Sequence, residues 1–176
     1  MLSVREIQQS DIALITHYWL GAEPAFLTAM GVDISKMPLE EEWREMLSEQ
    51  IRQPYDKKKS YCIIWQVDGR PAGHCNVNKI KFREEAFMHL HFWQTELHQK
   101  GMGTELVKMS LPYFFNNLQL KKLYSEPYAL NPAPNRTLEK SGFSFVRQYI
   151  TTPGWINFEQ SVNRWEFSYE YLKQKK

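Results

Sequence analysis

The stretch that most constrains this chain runs over residues 87–112. It begins as an apolar run carrying two histidines, Phe87-Met88-His89-Leu90-His91-Phe92-Trp93, which reads as a β-strand. A polar segment, Gln94-Thr95-Glu96-Leu97-His98-Gln99-Lys100, leads through Gly101-Met102-Gly103 into a helix over residues 104–117. Strand, glycine turn and helix is an order that presents backbone N–H groups to an anion. The first N–H groups of a helix lack intrahelical partners, and the helix dipole adds positive potential there. Glycines permit the tight turn and let a phosphate approach with no Cβ in the way. The segment matches neither common nucleotide signature. Leu106 stands where GxGxxG needs its third glycine or alanine, and GxxxxGK[ST] is not present. Taken alone, two glycines ahead of a helix are more often a plain turn.

The rest of the chain frames that turn. Residues 2–7 alternate as a short strand, and Ser10-Asp11 caps a helix bearing Ile12, Leu14, Ile15 and Trp19 that stops at Gly21. Residues 22–37, punctuated by Pro24 and Gly31, read as a loop or short helix anchored by Phe26, Leu27 and Met30. Pro38 and the acids Glu40, Glu41 and Glu42 start a second helix, and Gln53-Pro54 ends it. Its apolar face is Trp43, Met46, Leu47 and Ile51. Residues 60–67 and 71–80 form a hairpin across Asp68-Gly69, with residues 86–93 as a third consecutive strand. Residues 123–128 read as a strand whose Pro127 forbids central pairing on its N–H side. A helix from about residue 133 to Ser141 closes at Gly142. Residues 143–150 and 163–171 are then two antiparallel strands around Pro153-Gly154-Trp155. The order is that of an α+β protein in a single domain spanning residues 1–176.

At 176 residues the chain can bury a core without disulfide or metal staples. A formal charge of +2 is too mild to argue for nucleic acid or an anionic membrane. Cys62 and Cys75 fall in apolar strand-like runs, so reduced core thiols are expected. No long apolar span appears, and residues 1–6 lack the apolar core of a signal peptide. A cytoplasmic protein is expected.

His89 and His91 fall on one face of their strand, because strand side chains alternate with period two. Imidazole has an unperturbed pKa suited to taking a proton near neutrality. Asn76 and Asn78, on the neighbouring strand, would orient the pair or bind substrate. The bland alternative is two partly buried rings packed among Phe87, Trp93 and the hairpin. A His-x-His zinc site finds no third ligand at a convincing spacing, so no metal is expected.

Together, element order and motifs resemble the GNAT superfamily of acetyl-CoA-dependent N-acetyltransferases. The likeness in order covers residues 4–169, with residue-level support between Leu90 and Phe143. The family's pyrophosphate loop, Arg/Gln-x-x-Gly-x-Gly/Ala, corresponds to His98-Gln99-Lys100-Gly101-Met102-Gly103. Both glycines match; His98 departs from the first position. Asn131 and Glu139-Lys140-Ser141-Gly142-Phe143 match the family's downstream asparagine and its Glu-Lys-x-Gly-Phe ending. Glu126 sits where the fifth strand commonly has a Leu-Glu-Val.

The resemblance implies a central, mostly antiparallel mixed twisted sheet of six to seven strands flanked by about four helices. Its fourth and fifth strands would be splayed. It implies acetyl-CoA as co-substrate, the pyrophosphate held on the backbone from His98 and Gln99 to Thr104. The pantetheine would run along Phe92, Trp93 and Gln94 like an added strand. Asn131 would contact the pantetheine amide or order a water near the thiol; on the residues alone it serves equally as a helix cap or turn residue.

The implied reaction is direct acetyl transfer to a primary amine of a small molecule or a protein N-terminus. His91, close to the splay, or His89, one pleat further back, would take the amine's proton. Many members carry a tyrosine four residues before the glycine of Gly-Phe, and Leu138 stands there. Tyr128, Ser125 or water would then protonate the thiolate. The acceptor would lie between the first helices and last strands, near Phe26, Met30, Trp43, Trp155 and Trp165. Two rival classes remain: a CoA-binding module of this fold or interaction protein without turnover, and a phosphate- or nucleotide-binding α/β domain. The aromatic content also admits a homodimer through the terminal strands.

Overall fold

A computed structural model of the chain describes residues 1–93 and 101–174. The expected cofactor contacts at Gln94, His98, Gln99 and Lys100 lie outside the described residues. The strands are β1 (Leu2–Glu6), β2 (Tyr61–Val67), β3 (Arg70–Lys81), β4 (Glu85–Phe92), β5 (Lys122–Ser125), β6 (Ser144–Thr151) and β7 (Gln160–Ser168). They form one seven-stranded sheet in the order β1-β2-β3-β4-β5-β7-β6. Every neighbouring pair is antiparallel except β4 and β5, which run parallel.

The helices are α1 (Ile12–Leu20), α2 (Pro24–Ala29), α3 (Glu40–Arg52), α4 (Met102–Asn117), α5 (Pro132–Ser141) and α6 (Tyr169–Gln174). Among the described residues six helices stand where about four were expected, because α2 and α6 are short elements of six residues each. Local chemistry explains several boundaries. At the start of α3 the Glu42 carboxylate accepts from the Leu39 N–H at 2.8 Å, satisfying one of the donors a helix start leaves open. α5 ends at Gly142 in a left-handed conformation, with Phe143 N–H donating to Leu138 O at 3.1 Å.

Side-chain alternation sorts the central strands onto two cores. Tyr61, Ile63, Trp65, Cys75, Val77, Ala86 and Met88 pack with Leu106, Leu111 and Phe114 of α4 and Leu138 of α5. On the other face, Cys62 and Ile64 pack with Ile12, Ile15 and Trp19 of α1 and Trp43 and Leu47 of α3. Each fully buried residue of this kind contributes roughly 1.5–3 kcal/mol relative to exposure. Both cysteines are buried free thiols. Among the described residues, no helix is long and apolar enough to cross a membrane.

The feature that positions the site is where the sheet stops being continuous. β4 pairs with β5 only at Glu85–Lys122, Ala86–Leu123 and Phe87–Tyr124. β4 then runs on to Phe92, still paired with β3, while β5 ends at Ser125. The expected strand over residues 123–128 is therefore too long. It stops before Glu126-Pro127, so the proline lies past the ladder, and its carbonyl accepts from Asn163 N–H at 3.1 Å. At the fork the Ser125 hydroxyl donates to Met88 O at 2.8 Å.

Gly73 sits opposite Phe92 on the continuous side of the fork. A Cβ there would stand 2.5 Å from His91 O and 3.2 Å from Phe92 Cα, both backbone atoms. Gly73→Ala is expected to destabilise the fold by ~1–3 kcal/mol, the usual range for overpacking. Urea unfolding reads this directly. An unchanged midpoint would show that β3 and β4 spread there without cost.

Candidate active site

Which backbone groups of β4 face the gap follows from its register on β3. Trp93 N–H donates to Ala72 O at 2.9 Å, so it points toward β3. Antiparallel pairing alternates direction residue by residue, which turns the backbone groups of Met88, Leu90 and Phe92 toward the gap. Of the expected strand contacts, Phe92 faces the gap and Trp93 does not. Leu90, which does, escaped the sequence reading because register, and not residue type, selects it. The Trp93 side chain is also engaged, its indole N–H donating to His74 Nδ1 at 2.8 Å.

Beyond the gap lies the glycine corner. Gly101 caps α4 with φ of +73°, and among the described residues beyond its chain neighbours no atom lies within 4 Å of where its Cβ would stand. The nearest atoms to a Cβ on Gly103 belong to Thr137, at 3.8 Å. Met102 and Gly103 thus open a sixteen-residue helix with N–H groups that suit an anion, while Thr104 N–H donates to Gly101 O at 3.2 Å.

On the α1–α3 side of the sheet a cleft of about 220 Å³ runs to the fork. Its floor is polar. β3 and β4 pair His74 with His91, Asn76 with His89 and Asn78 with Phe87, placing these side chains on one face. The His74 and His91 rings stack 4.7 Å apart, and the Trp19 indole meets His91 edge-on at 4.8 Å. Tyr18 Oη lies 3.4 Å from His91 Nδ1. His89 differs: its Nε2 is buried with no hydrogen-bond partner among the described residues. The same holds for Asn78 Oδ1, Gln50 Oε1 and Trp43 Nε1, and all four residues line the cleft.

Burial sets the charge state of this floor. It lowers His89 to about 4, with Lys79 lowering it further and Glu126 opposing. Burial and the neighbouring His89 lower His74 to about 3, and burial holds His91 well below its usual value. All three imidazoles are neutral at pH 7. Burial raises the Tyr18 phenol, so its hydroxyl stays protonated beside His91 Nδ1 and Met30 Sδ. Among the described residues, no three His, Cys, Asp or Glu side chains gather as metal ligands.

The other expected residues fall into place unevenly. Ser125 is 2% exposed, and its hydroxyl is committed to Met88 O. Tyr128 lines the cleft, packs edge-on against Phe158 at 6.0 Å, and its hydroxyl has no partner among the described residues. Asn131 lines the cleft and caps α5, Oδ1 accepting from Ala133 N–H at 3.4 Å. Met30, Trp43 and Trp155 also line it. Phe26 is not among the lining residues, and Trp165 belongs to the core on α4 and α5. The sequence reading missed Asn135, whose side chain bonds Tyr128 O at 3.2 Å, Asn131 O at 2.8 Å and Trp165 Nε1 at 2.9 Å. It also missed His74, although the His74-x-Asn76-x-Asn78 alternation was a usable signal.

Two strands that part, with a glycine-opened helix beyond the gap and a neutral histidine beside the fork, suit acyl transfer from an extended carrier. The sequence profile of the Acetyltransferase (GNAT) domain matches residues 2–144. That match places the chain among the acyltransferases. It belongs to the GNAT acetyltransferase family.

Solved structures share the fold at low identity. Spermidine N-acetyltransferase from Vibrio cholerae, with CoA and spermine, has a TM-score of 0.77 at 19% identity, covering 97% of this chain and 98% of that one. Aminoglycoside acetyltransferase AAC(6')-Ib with coenzyme A has a TM-score of 0.72 at 16% identity, covering 99% and 98%. RimL, a ribosomal L7/L12 alpha-N-protein acetyltransferase in complex with coenzyme A, has a TM-score of 0.75 at 13% identity, covering 95% and 93%. None of the curated proteins matches the sequence significantly.

The lowered histidines have a consequence for stability. Unfolded imidazole titrates near about 6.5, whereas folded His89 titrates at about 4. Between those values the unfolded chain binds more protons, so stability falls as pH drops through that window. Melting temperature is expected to decline as pH falls from about 6.5 toward 4, and less steeply in His89→Asn. Parallel declines would show that His89 is not held neutral by the fold.

Proposed function

We propose that this chain is a cytoplasmic N-acetyltransferase, one domain over residues 1–176, that moves the acetyl group of acetyl-CoA directly to a primary amine. The observation carrying this reading is the fork at Met88 and Ser125 with the unpartnered His89 Nε2 beside it. The CoA-bound relatives of the same fold support the choice of carrier.

The residues would divide the work as follows. N–H groups at Gly101, Met102 and Gly103 hold the pyrophosphate, with Thr104, whose own N–H donates to Gly101 O, beside them. The gap-facing backbone of Leu90 takes the pantetheine as an added strand, continuing the edge toward Phe92. A gap-facing N–H also opposes negative charge that develops on the thioester oxygen. Asn131, already capping α5, lies beside this path. The bound thioester supplies an activated acetyl group on a thiolate that leaves readily.

Proton traffic decides between the histidines. An alkylammonium near pKa ~10 loses its first proton to water at a cost of roughly 4 kcal/mol at pH 7. His89, at about 4, is too weak to assist there. Its task comes later: C–N bond formation makes the nitrogen acidic, and a neutral imidazole then accepts its proton. His91, wedged against Trp19 and His74 with Tyr18 at Nδ1, holds the floor in place instead. As the C–S bond breaks, the sulfur keeps the electron pair and Tyr128 supplies its proton. Ser125, hydrogen-bonded to Met88 O, keeps the fork open at its base.

Purified protein with acetyl-CoA and a panel of amines, followed by free thiol, tests the reading. His89→Ala is expected to lower kcat/KM by about 10²-fold while CoA still raises the melting temperature. Gly103→Val is expected to abolish that CoA shift with the apo melting temperature little changed. Full turnover in His89→Ala would move the base elsewhere. Stabilisation by CoA without turnover of any amine would favour a binding module, and stronger stabilisation by ATP a nucleotide-binding domain.

A further inference from the structure

The cleft's charge inventory and walls point to a narrower acceptor class, an inference that rests on the acetyltransferase reading. Among the described residues lining the cleft, Glu126 is the one carboxylate, and Lys and Arg are not represented. Its charge is already matched: Glu126 is 7% exposed and accepts from Arg164 Nε at 2.6 Å and from Tyr149 Oη. The Arg164 guanidinium in turn lies over the Phe87, Tyr124 and Tyr149 rings, 5.1–5.5 Å from their centroids. The histidines of the floor carry no charge at pH 7.

The walls are aromatic. Trp19 and Trp43 stack at 5.6 Å with planes 10° apart, and Trp155 continues the row 6.0 Å from Trp43. The far side is tied shut. Asp33 N–H donates to Ile156 O at 2.8 Å, and Asn157 Nδ2 and Gln160 Nε2 donate to Gly31 O at 2.9 and 2.8 Å. Within this enclosure, Asn78 Oδ1 and Gln50 Oε1 are buried acceptors with no donor among the described residues.

We infer that the acceptor is a small monoamine: one primary amine on an aromatic or aliphatic body that is otherwise uncharged and offers N–H or O–H groups to Asn78 and Gln50. The single ammonium approaches through aromatic walls that attract it. A second or third ammonium would be desolvated without a counter-charge, which is strongly unfavourable. An apolar body instead gains the area it covers on the indole row. Buried acceptors left unpaired discriminate further against bodies with no donor.

The test compares kcat/KM for tyramine and tryptamine with that for spermidine and kanamycin, using the intact chain and acetyl-CoA. A preference of about tenfold or more for the monoamines is expected, a difference of about 1.4 kcal/mol. A smaller preference, or a reversed one, overturns the inference while leaving the acetyltransferase reading intact. No turnover of either monoamine, with CoA still raising the melting temperature, overturns it too. Failure of CoA to stabilise the protein removes the underlying reading as well. A charge swap gives an independent arm: Asn78→Asp adds a carboxylate to the floor and is expected to move the tyramine-to-putrescine preference about tenfold toward the diamine. No movement in that ratio counts against the cleft as the acceptor site.

Discussion

The functional reading depends on one interruption in hydrogen bonding. β4 and β5 share three residue pairs and then part, and the Ser125 hydroxyl takes the Met88 carbonyl at the point of parting. A parallel pair abandoned mid-sheet would ordinarily leave a row of unsatisfied backbone groups. Here one strand stops while the other continues, anchored on its far side by β3. The gap is therefore rigid on one edge and closed at its base. Such a slot would suit an extended chain without the ordering cost that a flexible loop would bring.

The second constraint is dryness. Three imidazoles share a floor that α1 and α3 cover, and burial holds all of them neutral. Neutrality is what the proposed base role of His89 requires, and the same desolvation makes it a weak base. Leaving polar atoms such as His89 Nε2 and Asn78 Oδ1 unpartnered costs about 1–3 kcal/mol each. A fold tolerates such groups where a ligand completes them. Among the described residues, four of the five such atoms belong to residues lining one cleft, Asn163 Oδ1 being the exception, which is why they speak for a site.

Much of the frame was legible in the chain. The strands of the hairpin, the helix after Gly101-Met102-Gly103 and the stop at Gly142 follow from alternation, capping and glycine chemistry. Other points were not. Ser125 and Tyr128 are equally plausible proton donors on paper; only packing reveals that one hydroxyl is bound to Met88 and the other faces the cleft. Trp43, Trp155 and Trp165 are alike as residues, yet Trp165 turns to the opposite core. β5 ends two residues before Pro127, a boundary that propensity places too late.

By itself the sequence determined the element order, the glycine-opened helix and the shared face of His89 and His91, because each follows from local backbone and alternation rules. Tertiary structure decided which β4 groups meet the gap, since the β3–β4 register fixes which of them turn away from β3. It also decided that the buried His89 Nε2 has no partner, and that Glu126 in the cleft is already paired, among the described residues. Those are relations between residues far apart in the chain, and only packing brings them within reach of one another.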